Sequence, residues 1–224
     1  MTQAPARIGI LGGTGAQGRG LARRFARAGH EVLIGSRDVD RAVAAAAELV
    51  AEGAVRGVLN ADAAAADLVV VAVPYDGHHD LLTGLAAPLA GKIVIDCVNP
   101  IGFDQHGPYP LAVPAGSAAQ EAQQALPDST VIGAFHHVSA ALLDDPAVTT
   151  IDLDVLVLGE DRTAVGTVCA LAEDIVGVRG IYGGRLRNAG QVEALTANLI
   201  AVNRRYQTHA GLRLTDVDPA VAAR

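Results

Sequence analysis

The sequence predicts an α/β fold built on a doubly wound, mainly parallel sheet. Short apolar segments alternate along the chain with segments of helical periodicity. The apolar segments are almost continuously hydrophobic, which is typical of parallel strands covered by helices on both faces. A glycine-rich turn between the first apolar segment and the first helical one is a third indication. The length of 224 residues suffices for one large domain, or for one domain with a small addition.

In the first half, each apolar segment is interpreted as a strand and each periodic segment between them as a helix. Gly29 is expected to cap the first helix, because glycine readily adopts the left-handed conformation that follows a helix. The predicted strands are Arg7–Leu11, Glu31–Ile34, Val55–Leu59, Leu68–Val73 and Lys92–Ile95. The predicted helices are Gln17–Ala28, Asp38–Glu52 and His79–Leu89.

The second half begins with a long loop. From Pro100 to Pro114 the chain is rich in glycine and proline, and a loop of this length is often functional. Ser117 and Gln120 form a capping-box pattern that predicts a helix reaching about Ala125. The remaining predicted strands are Thr130–Gly133 and Val155–Leu158, and the remaining predicted helices are Thr163–Val176 and Ala189–His209.

The glycine-rich turn predicts a dinucleotide-binding site. In such a turn one glycine permits the tight bend, another lets a pyrophosphate approach the backbone, and a third allows close packing of helix on sheet. The helix beginning near Ala16 would point free N–H groups and its positive dipole end at the phosphates. The alternative is a glycine turn that serves packing alone. The residues expected to bind are Gly12, Gly13, Thr14, Gly15, Ala16, Gln17 and Gly18.

The end of the second strand favours NADP over NAD. An NAD-selective site usually places Asp or Glu here to accept a hydrogen bond from the ribose 2′-hydroxyl, whereas this chain has Ser36 and Arg37. A hydroxyl and a planar guanidinium match the oxygens of a 2′-phosphate. Arg41, one turn into the next helix, would reach the same anion. The alternative is that Arg37 and Arg41 are ordinary solvated charges.

The crevice outside the carboxyl ends of the strands is the expected ligand site. Val73, Pro74 and Tyr75 follow one strand and Asn99 follows the next, so we expect these residues beside the nicotinamide half. Asp96 and Cys97 also lie there, although Cys97 is equally a candidate for a small buried packing residue. We therefore expect an NADP-binding, Rossmann-like domain over residues 1–133. The smaller C-terminal part, residues 134–224, would have helical and α+β structure and complete the crevice as part of one compact unit.

Composition argues against several other classes of protein. The net charge of −7, the absence of tryptophan and the three phenylalanines disfavour nucleic-acid binding, which needs basic patches and stacking platforms. The two cysteines show neither a disulfide pattern nor zinc-ligand spacing, so we expect no metal. We see no signal peptide and no apolar run of membrane-spanning length, and therefore expect a cytoplasmic protein without membrane contact.

The motifs in this order resemble the NADPH-dependent coenzyme F-420 reductases over nearly the whole chain. The resemblance rests on the glycine motif of residues 12–20, on Gly35-Ser36-Arg37, on Val73-Pro74-Tyr75 and on residues 188–196. It implies a Rossmann-like fold and hydride transfer between NADP(H) and the 8-hydroxy-5-deazaflavin ring of coenzyme F-420. By the same resemblance, Thr14, Ser36, Arg37 and Arg41 are NADP-binding positions.

This reaction requires no acid–base residue and no metal, because both rings are hydride carriers and the protein supplies alignment and exclusion of water. The negative charge left by reduction favours backbone N–H groups or a cation near the deazaflavin. Candidates are the turn after Pro74 and residues 135–139, where the family has a histidine that His136 matches as a possible ring contact. Two adjacent histidines on a strand would point to opposite sides.

The chain departs from the family at two places. The run His137-Val138-Ser139-Ala140 stands where archaeal members have a Thr-Ile-Pro-Ala-like sequence, and Tyr75 stands where some members have Trp. His78 and His79 are interpreted as the start of a surface helix.

The family's substrate also carries a polyanionic phospholactyl oligoglutamate tail. Its candidate partners, which are alternatively solvated charges, are Arg185, Arg187, Arg204 and Arg205.

Two other functions remain open on the sequence. One is a reductase acting on a flavin, an imine or a carbonyl, which would need a general acid near the nicotinamide. Lys92 is the only lysine, and it begins a strand at the wrong end of the sheet for that role. The other is a non-catalytic NADP sensor. Finally, the apolar helix over Ala189–Val202 makes a homodimer the expected assembly.

Overall fold

The computed structural model describes residues 5–218, so the outermost residues of both expected parts, 1–4 and 219–224, lie outside the described range. The strands are β1 (Arg7–Leu11), β2 (Glu31–Ser36), β3 (Val55–Leu59), β4 (Leu68–Val71), β5 (Ile93–Asp96), β6 (Ile101–Asp104), β7 (Gly107–Pro110), β8 (Thr130–Gly133), β9 (Leu153–Leu158) and β10 (Val178–Gly184). The α-helices are α1 (Ala16–Arg27), α2 (Val39–Ala47), α3 (Asn60–Ala63), α4 (His78–Gly84), α5 (Ala86–Leu89), α6 (Ala118–Ala125), α7 (Ala140–Asp144), α8 (Arg162–Glu173) and α9 (Ala189–Tyr206).

The predicted doubly wound sheet is confirmed. Eight strands form one sheet in the order β10-β9-β8-β5-β4-β1-β2-β3, and β6 pairs with β7 in a separate hairpin. Strands β1 to β5 and β8 all run parallel to one another. The pairing of Gly133 with Leu158 joins β9 to β8 in antiparallel orientation, and β10 runs parallel to β9. The sheet is therefore mainly parallel, with its chain direction reversed at one edge.

Both faces of the sheet are buried, which explains the continuous apolar runs. In β4, Val70 belongs to the core cluster on one face, whereas Val69 and Val71 belong to the cluster on the other. In β1, Ile10 and Leu11 are divided in the same way. Because successive side chains of a strand alternate between faces, a strand covered on both sides needs an apolar residue at almost every position.

Two of the predicted helices are interrupted. The segment predicted as Asp38–Glu52 forms α2 and then a separate 3-10 turn at Val50–Glu52. The segment predicted as His79–Leu89 is divided into α4 and α5 near Leu85. Pro88 explains the second break, because a proline inside a helix lacks the N–H and clashes with the carbonyl four residues earlier.

The hairpin β6–β7 and strand β10 are absent from the sequence prediction. Pro108 and Pro110 lie in β7 and remove two backbone donors, which is tolerated because this strand has a partner on one side. In β10, a Cβ at Gly180 would lie 2.4 Å from the Cys169 carbonyl oxygen. This glycine lets α8 approach the strand, and it also weakens the strand signal in the sequence. Within the described residues, no helix is long and apolar enough to cross a membrane.

Candidate functional site

The turn between β1 and α1 has the geometry of a phosphate-binding turn. Gly12 has a φ of +68°, in the left-handed region that glycine adopts without strain. Its N–H donates to Asn60 Oδ1 at 3.2 Å, and the N–H of Gly13 donates to the Gly35 carbonyl at 2.9 Å. A Cβ on Gly18 would lie 2.5 Å from the Gly13 Cα, so helix and turn are in direct backbone contact. These bonds hold the turn closed beneath the helix.

The start of α1 is accessible to a ligand. Thr14 and Gln17 are half-buried, Gly15 and Ala16 are exposed, and the nearest non-neighbouring atom to a Cβ on Gly15 would be 3.9 Å away. The N–H groups of the first helical turn have no acceptor within the helix, and the helix dipole is positive here. No side chain caps this end. The predicted residues of the turn are thus brought together around an open, electropositive helix end.

Ser36 and Arg37 lie at the carboxyl end of β2, beside this turn. Ser36 is buried and its Oγ accepts a hydrogen bond from the Asp38 N–H at 3.1 Å, which leaves the hydroxyl proton free to donate. Arg37 and Arg41 are exposed, and within residues 5–218 neither guanidinium has a hydrogen-bond or ion-pair partner. The α2 cap does not consume them, because Asp38 accepts from the backbone N–H groups of Asp40 and Arg41. Two cations therefore stand uncompensated in an acidic protein.

A cleft of about 700 Å³ lies at the carboxyl ends of β4 and β5. Pro74, Tyr75 and Asn99 line it, as predicted for the crevice. Val73 connects it to the glycine turn, since a Cβ on Gly12 would lie 2.4 Å from a Val73 methyl. The other lining residues are Asp76, Gly77, His79, Asp80, Ile101, Leu111 and Glu121.

A buried polar chain supports one wall of this cleft. Tyr75 donates from its hydroxyl to Glu121 at 3.3 Å, and Glu121 lies 3.4 Å from His78 Nδ1. The other ring nitrogen, Nε2, lies 2.6 Å from Asp96 Oδ2. Both His78 and Asp96 are completely buried. Burial opposes protonation of His78, but the two carboxylates outweigh it and raise its pKa.

His78 corrects the expectation of a surface helix start. The helix does begin at this residue, but its side chain is 0% exposed and lies between two acidic groups. His79 is exposed and lines the cleft. The sequence signal that could have shown this is the polar residue Asp96 at the end of an apolar strand, where a buried carboxylate needs a partner.

Residues 135–139 form a tight turn after β8, so the expectation of a strand with its histidines on opposite sides is wrong. Phe135 has a φ of +63° and is fully buried. Both His136 and His137 are buried as well, and burial lowers the pKa of each to about 4. Both rings are therefore neutral at pH 7. The His136 side chain does not line the cleft, and its contact with a substrate ring stays a prediction.

The backbone of this turn reaches the site through three other side chains. Gln17 Nε2 donates to the Phe135 carbonyl at 3.2 Å. Asn99 Nδ2 donates to the His136 carbonyl at 2.8 Å, and Thr196 Oγ1 donates to the same carbonyl at 3.1 Å. The turn therefore holds the glycine-rich helix, the end of β5 and the C-terminal helix in one arrangement.

Glu193 is a site residue that the sequence prediction missed. It lies on α9 with 2% exposure, and its carboxylate accepts from the N–H groups of Ala118 and Ala119 at 2.9 and 3.1 Å. His136 Nε2 is 4.0 Å away. Burial raises the pKa of Glu193 to about 7, although the two N–H donors act in the opposite direction. A proton is therefore taken up or released here near neutral pH.

Titration of Glu193 predicts a pH-dependent stability. Because the folded-state pKa of about 7 exceeds the ordinary value of 4.5, stabilisation by the protonated form is complete below pH 4.5 and is lost as the pH rises through 7. Relative to a Glu193→Gln variant, the wild type should lose about 3 kcal/mol of unfolding free energy over this window. Urea denaturation at several pH values measures it. His136 and His137 titrate in both proteins, so their effect cancels; a difference that does not change with pH would contradict the assignment.

The remaining candidates have divided outcomes. The thiol of Cys97 is buried and donates to the Val71 carbonyl at 3.0 Å, which makes it a packing residue, and burial raises its pKa. Arg185 forms an exposed ion pair with Glu160 at 3.1 Å. Arg204 and Arg205 line a second, smaller pocket with the tip of the β6–β7 hairpin. Within the described residues, no cluster of three or more potential ligands could hold a metal ion.

Comparison with known proteins identifies relatives of this chain. The family described as NADP oxidoreductase, coenzyme F420-dependent, matches residues 7–100. An F420-dependent NADP reductase of Methanothermobacter marburgensis is 38% identical over 222 residues, covering 94% of this chain and 99% of that protein. The protein of the same name from Methanocaldococcus jannaschii is 37% identical, covering 95% of this chain and 99% of that protein.

A solved structure is also similar along nearly the whole length. It comes from Arthrobacter sp. FB24, with a proposed activity of F420-dependent NADP reductase, and superimposes with a TM-score of 0.81 at 31% identity. The match covers 94% of this chain and 99% of that one. Because relatives more than 30% identical align over nearly their full length, the resemblance inferred from the motifs is confirmed. The chain belongs to the family of F420-dependent NADP reductases.

Proposed function

We propose that this chain transfers a hydride reversibly between NADP(H) and the deazaflavin coenzyme F-420. The observation that carries the proposal is the juxtaposition of two parts of the site. An open helix end beside the unpartnered Arg37 and Arg41 adjoins, through Val73, a cleft of about 700 Å³. The first part suits a dinucleotide with an additional phosphate, and the second suits a planar ring.

The NADP half is assigned to the residues around the open end of α1. Thr14 to Gln17 would hold the pyrophosphate on backbone N–H groups, and the missing Cβ of Gly15 leaves room for its approach. Ser36, Arg37 and Arg41 would hold the 2′-phosphate by charge-assisted hydrogen bonds. The carboxylate of Asp38, which follows Arg37 in the chain, accepts from backbone N–H groups of α2, and it pairs with neither guanidinium.

The cleft is assigned to the deazaflavin. NADPH supplies the hydride, the deazaflavin accepts it together with a proton from solvent, and neither step demands an acid–base residue of the chain. Tyr75, Ile101 and Leu111 provide the apolar walls, while Asn99 and the turn at residues 74–77 provide polar groups near the ring. The contribution of the chain is alignment of two rings and exclusion of water. The buried Asp96–His78 pair keeps Glu121 and Tyr75 in place.

A turnover assay tests the proposal against the other functions. Purified protein is mixed with NADPH and coenzyme F-420, and loss of the visible absorbance of the oxidised deazaflavin is followed. FMN and FAD replace the deazaflavin in one pair of controls, and NADH replaces NADPH in another. We expect turnover of the deazaflavin with NADPH. Turnover of a flavin, an imine or a carbonyl in its place would favour the other reductase, and NADPH binding without any turnover would favour the sensor.

Arg37→Ala is expected to weaken NADPH binding by about 1–3 kcal/mol, the range for loss of a charged hydrogen-bond partner. NADH binding should be unaffected, because NADH lacks the 2′-phosphate. Titration calorimetry with both nucleotides measures the two effects. Arg162 is exposed, without a partner in the described part of the chain, and lies on α8, an element to which no residue of the nucleotide site is assigned, so Arg162→Ala is the matched control. An equal loss of NADH affinity in Arg37→Ala would refute the 2′-phosphate assignment.

We also propose a homodimer that assembles in the cytoplasm. The cytoplasmic location is supported by two free cysteines, Cys97 and Cys169, which suit a reducing compartment. The dimer is supported by α9, where Val202 is 37% and Tyr206 is 73% exposed. Light scattering at micromolar concentration tests the assembly, and a monomer would count against it.

A further inference from the structure

We infer that the pocket formed by Arg204, Arg205 and the tip of the β6–β7 hairpin binds the anionic oligoglutamate tail of the deazaflavin. We call it the arginine pocket. It has a volume of about 400 Å³ and is lined by His106, Gly107, Pro108, Ala201, Arg204 and Arg205. This inference rests on the proposed function, because it concerns the part of the substrate that lies outside the ring.

The charges of the pocket are uncompensated. Both Arg204 and Arg205 are exposed, and neither has a hydrogen-bond or ion-pair partner within residues 5–218. Most arginines in this range behave differently: those of α1, for example, pair with Glu48, Glu52 or Asp144, or donate to backbone carbonyls. In a chain of net charge −7, two adjacent unpaired guanidiniums that line one concavity form a local anion site.

Two elements connect the cleft to the arginine pocket. On α9, Thr196 Oγ1 lies 3.3 Å from Oδ1 of Asn99, which lines the cleft, and the two arginines follow eight and nine residues later. At 1.5 Å per helical residue they lie about 12–14 Å further along the axis. The β6–β7 hairpin also extends from one pocket to the other, because Ile101 at its base lines the cleft and Gly107 at its tip lines the arginine pocket.

The substrate has a matching layout. Its ring is followed by a ribityl chain, a phosphodiester, a lactyl group and then glutamate residues, so the negative charges begin some distance from the ring. With the ring in the cleft, the linker would follow the hairpin and place the first carboxylates at the guanidiniums. Arginine can bind a carboxylate through two parallel hydrogen bonds, so a pair of arginines favours a specific carboxylate site over a general attraction of anions. The two arginines also lie in the last turn of α9, where the helix dipole favours cations. The experiment below separates this stabilising role from binding of the tail.

The test compares two deazaflavins on one variant. Coenzyme F-420 carries the tail, whereas 8-hydroxy-5-deazariboflavin has the same ring without phosphate or glutamates. In an Arg204→Gln, Arg205→Gln double variant we expect the KM for coenzyme F-420 to rise about tenfold, the combined effect of losing two exposed charge pairs. The KM values for deazariboflavin and for NADPH should stay unchanged. In the wild type, added salt should raise the KM for coenzyme F-420 but not for deazariboflavin.

Conservative variants and direct binding complete the design. Arg204→Lys, Arg205→Lys keeps the charge and should recover most of the affinity, while the Arg162→Gln control on α8 should change nothing. Equal KM changes for both deazaflavins, or none for coenzyme F-420, would overturn the tail assignment. Quenching of deazaflavin fluorescence measures binding without turnover. If the wild type binds coenzyme F-420 more tightly than deazariboflavin and the double variant loses that difference, the tail site stands even where turnover fails. Failure of turnover with both deazaflavins would overturn the proposed function alone.

Discussion

A Gly18→Val variant is expected to lose at least a hundredfold in NADPH affinity and about 3 kcal/mol or more in unfolding free energy. The Cβ alone would lie 2.5 Å from the Gly13 Cα and 3.0 Å from the Gly13 carbonyl carbon. These are backbone atoms, so no change of rotamer relieves the overlap, and α1 must move away from the turn. Such a movement displaces the N–H groups assigned to the pyrophosphate. A displacement near 1 Å already costs about a hundredfold in a positioned site.

Gly166→Val is the matched control for this effect. Gly166 lies inside α8, is exposed, and a Cβ there would meet nothing within 4 Å. Its replacement should change stability by no more than about 0.5 kcal/mol and leave NADPH binding intact. Titration calorimetry and urea denaturation of both variants measure the two quantities. Normal NADPH binding by Gly18→Val would show that the turn and helix are not in the close contact described above.

Replacing Asp96 by Ala is expected to lower the unfolding free energy by a comparable amount, for a different physical reason. Asp96→Ala leaves His78 fully buried without its partner at 2.6 Å, and also frees the Val98 N–H, which donates to Asp96 Oδ1 at 3.1 Å. Breaking a buried ion pair from one side costs about 3–5 kcal/mol, since an uncompensated charge remains. The support of Glu121 and Tyr75 is lost with it, so the KM for the deazaflavin should rise as well.

Two further variants identify the cause. Asp96→Ala combined with His78→Leu removes both partners and should recover much of the loss, because an apolar pair requires no compensation. Asp62→Ala, an exposed aspartate of α3, is the control and should be nearly silent. The deficit should also depend on pH. Because the pKa of His78 is raised, the contribution of the pair is complete below pH 6.5 and is lost as the pH rises through the folded-state value. Additive single-variant effects would contradict a pairwise interaction.

The Rossmann half of the fold follows closely from local sequence signals. Continuous apolar runs marked the parallel strands, and Ser117 caps α6 through the Gln120 N–H as its capping-box pattern predicts. The hairpin β6–β7 and β10 escaped detection because their prolines and glycines are typical of loops. The prolines of β7 are compatible with pairing because one edge of that strand is free, and Gly180 of β10 is compatible because α8 packs closely against it.

The candidate site, too, was predictable from the sequence only in part. Its nucleotide half, from Gly12 to Arg41, occupies a short stretch of chain with a recognisable order, so the sequence predicted its members. The supporting residues are joined across long separations: His78 to Glu121, and Glu193 to Ala118. No periodicity or spacing marks such pairs, because the sheet order brings them together. The available signals are polar residues in apolar elements, such as Asp96 at the end of β5 and Glu193 in α9, which indicate the need for a buried partner.

The bond from Glu193 to the start of α6 also bears on recombination between relatives. A chimaera joined after residue 133 would take the acceptor carboxylate from one parent and the donor N–H groups from the other. If the parent of the C-terminal part has no acid at the position of Glu193, two backbone N–H donors are buried without an acceptor. If it has the acid but the geometry differs, the carboxylate is buried without its donors. Crossover points that keep α6 and α9 from the same parent avoid both defects.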